Sequence, residues 1–225
     1  MLNWLLLRPL LGQIIIAQLI GFVIVTGSVA AEPTATARPS EWQPLFNRKD
    51  LTNWKITKFG GEGDVYVEDG QINLDFGSSL TGITYGKDFP KDNYELRLEA
   101  KRLEGTDFFC GLTFPVQTKY LTLVVGGWGG AVVGLSSIDG EDASENDTQK
   151  TMAFKRNTWY RIRIRIQSNS ASVWINDQLV IKKKLKGHEL SIRPEVNLSR
   201  PLGICAWETR AVLRKLEWRS VSSQD

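Results

Sequence analysis

Histidine, cysteine and methionine are scarce in this chain: its 225 residues include one histidine, two cysteines and two methionines. The histidine, His188, stands in a Gly-His-Glu stretch that reads as an exposed turn, which sets it aside as a catalytic group. Cys110 and Cys205 both lie in apolar segments, where a disulfide and two buried free thiols are equally admissible, because sequence does not fix the distance between their Cα atoms. No cysteine follows the apolar N-terminal stretch, which excludes a lipoprotein anchor there. Charge of one sign is lacking too. With 28 basic against 25 acidic residues the net charge is +3, a balance that argues against a polyanion-binding protein and against nucleic acid as a partner. The basic cluster Lys182-Lys183-Lys184-Leu185-Lys186 offers contact with nucleic acid or an anionic polysaccharide, but lysines along one strand read first as guards of a sheet edge. From Trp42 to Ser220 no stretch carries a helical period, which excludes a helical fold.

What is present begins with a leader. Met1 to Ala31 is apolar with a single charge, Arg8, and its densest part, Ile14 to Val25, is short for a bilayer. Val29 and Ala31 fit the small-residue positions of a cleavage site, so residues 1–31 read as a secretory signal and the product as exported, periplasmic or extracellular, with no membrane contact after cleavage. An uncleaved N-terminal anchor is the alternative, since Leu5 to Val25 is nearly long enough to span. Residues 32–40 read as a flexible linker, 41–220 as one domain and 221–225 as a tail.

The domain is organised around NTWYRIRIRIQSNSASVWINDQLVIKK, residues 157–183. Tyr160, Ile162, Ile164 and Ile166 alternate with Trp159, Arg161, Arg163 and Arg165, the period of a strand with one buried and one wet face. Ala171 to Ile175 alternates again, and Asn176-Asp177 supplies two residues that tolerate the left-handed conformation of a tight hairpin, so three strands form a meander. Parity puts Val173 and Ile175 with the isoleucines and Trp174 across from the arginine row, in reach of cation-π contacts. Similar short alternations recur from Val65 to Arg219, with Asp69-Gly70 as a further hairpin signal. Many short one-sided strands predict an all-β sandwich of two antiparallel sheets.

The stretch Pro44-Leu45-Phe46-Asn47-Arg48-Lys49-Asp50-Leu51-Thr52-Asn53-Trp54-Lys55 resembles the LFNGKDLTGWK opening of the 3-keto-disaccharide hydrolase domain. Val67-Glu68-Asp69-Gly70, Asn93-Tyr94-Glu95-Leu96-Arg97, Asn157-Thr158-Trp159-Tyr160, Val173-Trp174-Ile175-Asn176 and Pro201-Leu202-Gly203-Ile204 follow in that family's order. The resemblance implies a concanavalin A-like jelly-roll sandwich, exported in bacteria, acting on glycosides whose C3 hydroxyl is oxidised to a ketone. Two glycines of the opening are Arg48 and Asn53 here. Near the C-terminus the family's histidine is absent, and its Phe-Arg-Asn-Ile strand is replaced by Leu213-Arg214-Lys215-Leu216, in which only Arg214 matches.

The candidate functional loop follows Gly126-Gly127-Trp128-Gly129-Gly130 and runs from Ser136 to Lys150. Trp128 offers a stacking face for a sugar ring, while Asp139, Glu141, Asp142, Glu145 and Asn146 supply oxygen groups. A solvated acidic loop is the bland alternative. The density of carboxylates makes a calcium site conceivable, but the spacing does not match an EF-hand, so calcium has no specific motif and no cofactor is expected. The paired-carboxylate strand of ordinary retaining sandwiches is absent, which disfavours a standard glycosidase. Elimination from a 3-keto glycoside needs one base, one group for the enolate oxygen and one aromatic platform. Glu145 or Asp142 as base, Arg210 or Arg214 as enolate stabiliser and Trp128 or Trp207 as platform is the expected cast, with Glu208 beside Trp207. Arg193 and Glu195 join it if their loop lies at the same end. By simple parity Arg214 shares a face with Val212, Leu216 and Trp218, which requires either a buried, paired arginine or a bulge. A non-catalytic carbohydrate-binding or interaction module on the same fold is the alternative function.

Overall fold

The structure, a computed structural model, describes residues Ser40 to Ser222; the expected signal, the linker up to residue 39 and the last three tail residues lie outside the described residues. The alternation in the meander is realised in full: Tyr160, Ile162, Ile164, Ile166, Val173 and Ile175 are all buried. Strands Tyr160–Gln167 and Ser170–Ile175 pair in register, Ile164 opposite Val173 and Arg163 opposite Trp174. The hairpin after them turns through Asn176 (φ 50°) and Asp177 (φ 67°), and the Asp69-Gly70 turn does so through φ values of 50° and 71°. Both are the left-handed pairs that match strand twist.

Fifteen strands among the described residues make two antiparallel sheets. The first runs in the order Gln178–Lys184, Ser170–Ile175, Tyr160–Gln167, Tyr94–Gly105, Thr209–Ser220, Gln71–Leu74 and Val65–Glu68, with Gln43–Pro44 also on Thr209–Ser220. The second runs Lys150–Thr151, Val132–Ser136, Lys119–Gly127, Cys110–Val116, Gly203–Trp207, Leu80–Tyr85 and Trp54–Ile56. Their inner faces share one core that includes Tyr94, Phe109, Phe114, Leu123 and Ile162, all essentially sealed from solvent. This is the expected jelly-roll sandwich. The lysine cluster lies on Gln178–Lys184, an edge strand, where charge blocks pairing with another chain. The only helix among the described residues is a short 3-10 turn, Pro194–Ser199, in a region read from sequence as a loop. None of the described residues form a helix long and apolar enough to cross a membrane.

Two departures from the opening motif prove compatible with its turn. Arg48 (φ 66°) and Asn53 (φ 69°) both take the left-handed conformation that glycine favours, at the cost arginine incurs there. The parity problem at Arg214 is resolved by a bulge. The register of Thr209–Ser220 on Tyr94–Gly105 shifts between Arg214 and Glu217, and Lys215 takes φ 53°. Ala211 and Leu213 point inward before the bulge, Leu216 and Trp218 after it, so Arg214 points outward.

The outer face of the first sheet carries the arginine row. Glu95, with no exposed side-chain surface, accepts from Arg163 (2.6 Å), Arg165 (2.7 Å) and Arg219 (2.6 Å). Burial alone would raise its pKa, but hydrogen bonds from Arg219 and Arg165, and their charges, hold the carboxyl below the ordinary range. Guanidinium groups stack on indoles above: Arg163 on Trp174 at 3.7 Å and Arg97 on Trp42 at 4.0 Å.

The cysteines are free and buried. Cys205 pairs with Gly111 across neighbouring strands, so Cys110, the adjacent residue, points to the opposite face. Cys110 joins the main core, and Cys205 a small cluster with Leu80 and Val196 on the outer side of the second sheet. Burial pushes both thiols up, Cys205 to about 12.

A thiol reagent such as Ellman's is therefore expected to find no reactive cysteine in the native protein and two after denaturation; one native thiol would contradict the burial. Because Glu95 is depressed on folding, its stabilisation is complete above the unfolded value of about 4.3 and is lost as pH falls through the lower folded value. Chemical denaturation from pH 7 to 3 is expected to show this loss in the wild type. Glu95→Gln, which leaves three guanidinium groups without their shared anion, should be less stable by about 3 kcal/mol at pH 7. Its stability curve should also be flatter in acid.

Candidate functional site

A cavity of about 200 Å3 opens on the outer face of the second sheet, over the small cluster that holds Cys205. Alternation builds its floor. In Lys119–Gly127 the residues Leu121, Leu123 and Val125 enter the core, which leaves Thr122 and Val124 to the cavity. Leu80, Phe108, Val196 and Trp207 complete an apolar base.

Trp128 stands at the rim, 45% exposed, in the glycine-flanked turn after Lys119–Gly127. It takes φ 48°, an outlier for a bulky residue, between Gly126 (φ 78°) and Gly129 (φ 83°). A Cβ at Gly127 would come within 2.8 Å of Val124, so this turn needs a bare backbone there. Trp207 ends its strand opposite. Its backbone N–H donates to the carbonyl of Phe108 (3.1 Å), and the two rings lie 6.5 Å apart at 45°.

Arg193, just before the 3-10 turn, is the charged centre. It donates through Nη1 to Asp142 and through Nη2 to Glu195 (2.9 Å). The Glu195 hydrogen bond, outweighing burial, raises the Arg193 pKa and keeps it charged; reciprocally, Arg193 holds the Glu195 carboxyl below its usual value. Asp142 is fixed from behind, since Ser136 Oγ donates to its Oδ1 at 2.9 Å. Asp107 is the remaining carboxylate of the lining. It lies where the chain passes from Tyr94–Gly105 in the first sheet to Cys110–Val116 in the second. Its Oδ1 accepts from the Phe108 N–H (2.7 Å), while Arg102 and Thr209 hold its backbone carbonyl. Asp107 forms no ion pair within 4 Å among the described residues.

Of the residues singled out in the sequence, the cavity brings together Trp128, Trp207, Arg193 and Glu195, with Asp142 joined through Arg193. Arg210 and Arg214 are not part of it. Both lie on Thr209–Ser220 of the other sheet, Arg210 paired with Asp75 (2.9 Å), Arg214 with Glu99 (2.7 Å) and stacked on Trp159 at 3.9 Å. The strand's sheet membership, not its side-chain chemistry, removes them. Glu145 is turned back on its own loop, accepting the Asp142 N–H at 3.1 Å, and Glu141 and Glu208 are exposed outside the lining. Asp139 pairs with His188 Nδ1 at 2.6 Å and accepts the Glu189 N–H, which together lower its pKa.

Asn146 proves to be the organiser of the acidic loop. Buried, its amide donates to the carbonyls of Leu135 and Asp142 (both 2.8 Å), and its oxygen accepts from the Thr148 N–H and hydroxyl. The loop's carboxylates go to separate partners, and no three metal-ligating side chains converge among the described residues. Asp107 and Ser136 were missed in the sequence. Asp107 is visible there only as the turn residue before the strand at Phe108, a weak signal.

With this geometry in place, comparison with known proteins finds the following. Residues 41–219 match the sequence model of the 3-keto-alpha-glucoside-1,2-lyase-like domain. No curated protein matches the chain. A Bacillus subtilis protein of unknown function with a galectin-like fold is similar in structure (TM-score 0.59, 12% identity, covering 84% of this chain and 99% of that one). So is the carbohydrate binding module CBM66 of Bacillus subtilis (TM-score 0.51, 13% identity, 76% and 97% covered). A candidate glycosyl hydrolase from Parabacteroides distasonis gives TM-score 0.52 at 14% identity, with 80% and 94% covered. At these identities the likeness is one of fold.

Asn146→Ala would orphan the carbonyl of Leu135 and both donors of Thr148 in a buried place, so a loss of about 2 kcal/mol or more is expected by denaturant unfolding. An unchanged midpoint would show that the loop does not depend on it.

Proposed function

We propose, from the premise that this chain belongs to the 3-keto-alpha-glucoside-1,2-lyase-like family, that its Trp128–Trp207 cavity binds a 3-keto glycoside and cleaves the glycosidic bond by elimination. The convergence of two indoles, one unpaired carboxylate and one guanidinium in a single cavity supports this reading. The indoles give the faces on which sugar rings stack. The C3 ketone acidifies the proton on C2. Asp107, whose lone pairs are not spent on a cation, takes that proton. The C–H electron pair moves toward the ketone oxygen as enolate, then returns to form the C1=C2 double bond as the glycosidic oxygen leaves C1 with the bonding pair. The departing oxygen takes a proton from a water molecule, and addition of the resulting hydroxide to C1 of the enone, with return of the proton from Asp107 to C2, completes a net hydrolysis.

Arg193 is the enolate stabiliser in this scheme, the role given from sequence to Arg210 or Arg214. Two of its five N–H donors remain after its bonds to Asp142 and Glu195, and the two carboxylates fix its plane. Asp142 thus acts as a positioning residue. Export to the periplasm or cell exterior, inferred from the leader, places the reaction outside the cytoplasm.

A second reading, a non-catalytic sugar-binding module on the same cavity, is favoured by the two carboxylates that offset the charge of Arg193. Assay of the purified protein with a 3-keto-alpha-glucoside decides between them. The wild type is expected to release the aglycone. Asp107→Asn keeps the hydrogen bond to Phe108 and should lower kcat by about 100-fold or more with little change in KM. Arg193→Lys should cost about 100-fold in kcat. Asp107→Asn turning over as well as wild type would reject the base, and saturable sugar binding without turnover would establish the module.

A further inference from the structure

A second cavity, of about 390 Å3, opens on the outer face of the first sheet, on the far side of the sandwich from the site above. Cations outnumber carboxylates in and around it. Arg163, Arg165 and Arg219 share the single carboxylate of Glu95, and Arg214 and Lys215 share that of Glu99. Arg97 and Arg161 are matched one to one by Glu217 and Asp177. A cationic surplus therefore sits in a recess with low-dielectric walls, where field lines are focused.

The cations are also held in place. Arg163 lies on Trp174 and Arg219 on Trp42 (4.5 Å), so their rotamer entropy is already lost before any ligand arrives. Arg161, Arg163 and Arg165 occupy alternate positions of one strand, spaced about 6.8 Å apart. From Arg165 the row continues through its partner Ser172 to Lys182 on the edge strand, about 10 Å further across the sheet. Such a track fits a repeating anion better than a single ion. Planar guanidinium forks match carboxylates in bidentate fashion. A membrane surface fits less well: of the exposed large apolar residues only Leu179, the cross-strand partner of Trp174, borders this lining, while Tyr66, Phe76, Trp128 and Leu198 lie away from it, and peripheral membrane docking relies on such groups.

We propose that this face binds an acidic polysaccharide, a polymer carrying carboxylates on successive sugar rings, independently of the chemistry in the other cavity. The small positive net charge of the chain does not reveal that the surplus is gathered on this one face.

Native gel electrophoresis with polygalacturonate cast into the gel tests it, alongside neutral dextran, dextran sulfate and vesicles of phosphatidylglycerol and phosphatidylcholine. Retardation by polygalacturonate that weakens with salt, without retardation by dextran, is expected. The double variant Arg161→Glu, Lys215→Glu alters two well-exposed side chains, and should weaken binding about tenfold or more while its thermal unfolding stays close to wild type. The milder Arg161→Ala, Lys215→Ala pair should fall between, which keeps the test valid if charge reversal perturbs folding. No retardation at low salt, retention unchanged in both variants, or binding to dextran sulfate or to the vesicles but not to polygalacturonate would each overturn the proposal.

Discussion

A strand has two faces, and in this molecule one face of nearly every strand is committed to a common interior. That constraint governs everything else. Ile162, Ile164, Leu121, Leu123 and Leu213 fill the space between the sheets, so polar and aromatic side chains are left to the outer faces and to the connections. Two distinct surfaces result. On one side, threonine and valine from Lys119–Gly127 floor a small apolar cavity rimmed by Trp128 and Trp207. On the other, an arginine row covers a carboxylate that water does not reach.

The period-two rhythm made the architecture legible. Tyr160 to Ile166 needed no tertiary information to be placed, and Asn176-Asp177 and Asp69-Gly70 turn as their chemistry dictates. Arg48 shows the limit of such reasoning in the other direction: an arginine occupies a left-handed position that local preference would give to glycine, because the surrounding turn fixes it. Periodicity failed at Arg214, where one extra residue in the strand reverses every face beyond it.

The site was legible in its parts and not in its assembly. Trp128, Trp207, Arg193 and Glu195 could be named as chemistry-bearing residues, since each lies in a glycine-rich, polar or strand-end context. Their convergence depends on which strands share a sheet, a long-range property that spacing does not encode. The same limit kept spacing from showing that Arg210 and Arg214 lie on the other sheet and that Asp107, at the crossing between sheets, lines the cavity. Net charge was similarly uninformative, because a small sum does not say on which face the few unmatched cations are gathered.

The back-to-back thiols carry a kinetic hazard. Cys205 faces Gly111 only in the native register, so a slip of one residue between Gly203–Trp207 and Cys110–Val116 sets Cys205 directly opposite Cys110 on one face. Opposed residues of antiparallel strands stand at the Cα separation that a disulfide spans. An oxidant present before the strands have settled would then lock the misaligned pairing covalently, whereas once the native ladder has formed the sheet itself keeps the two sulfurs apart. For this chain the order of events matters: pairing of the strands must precede oxidation.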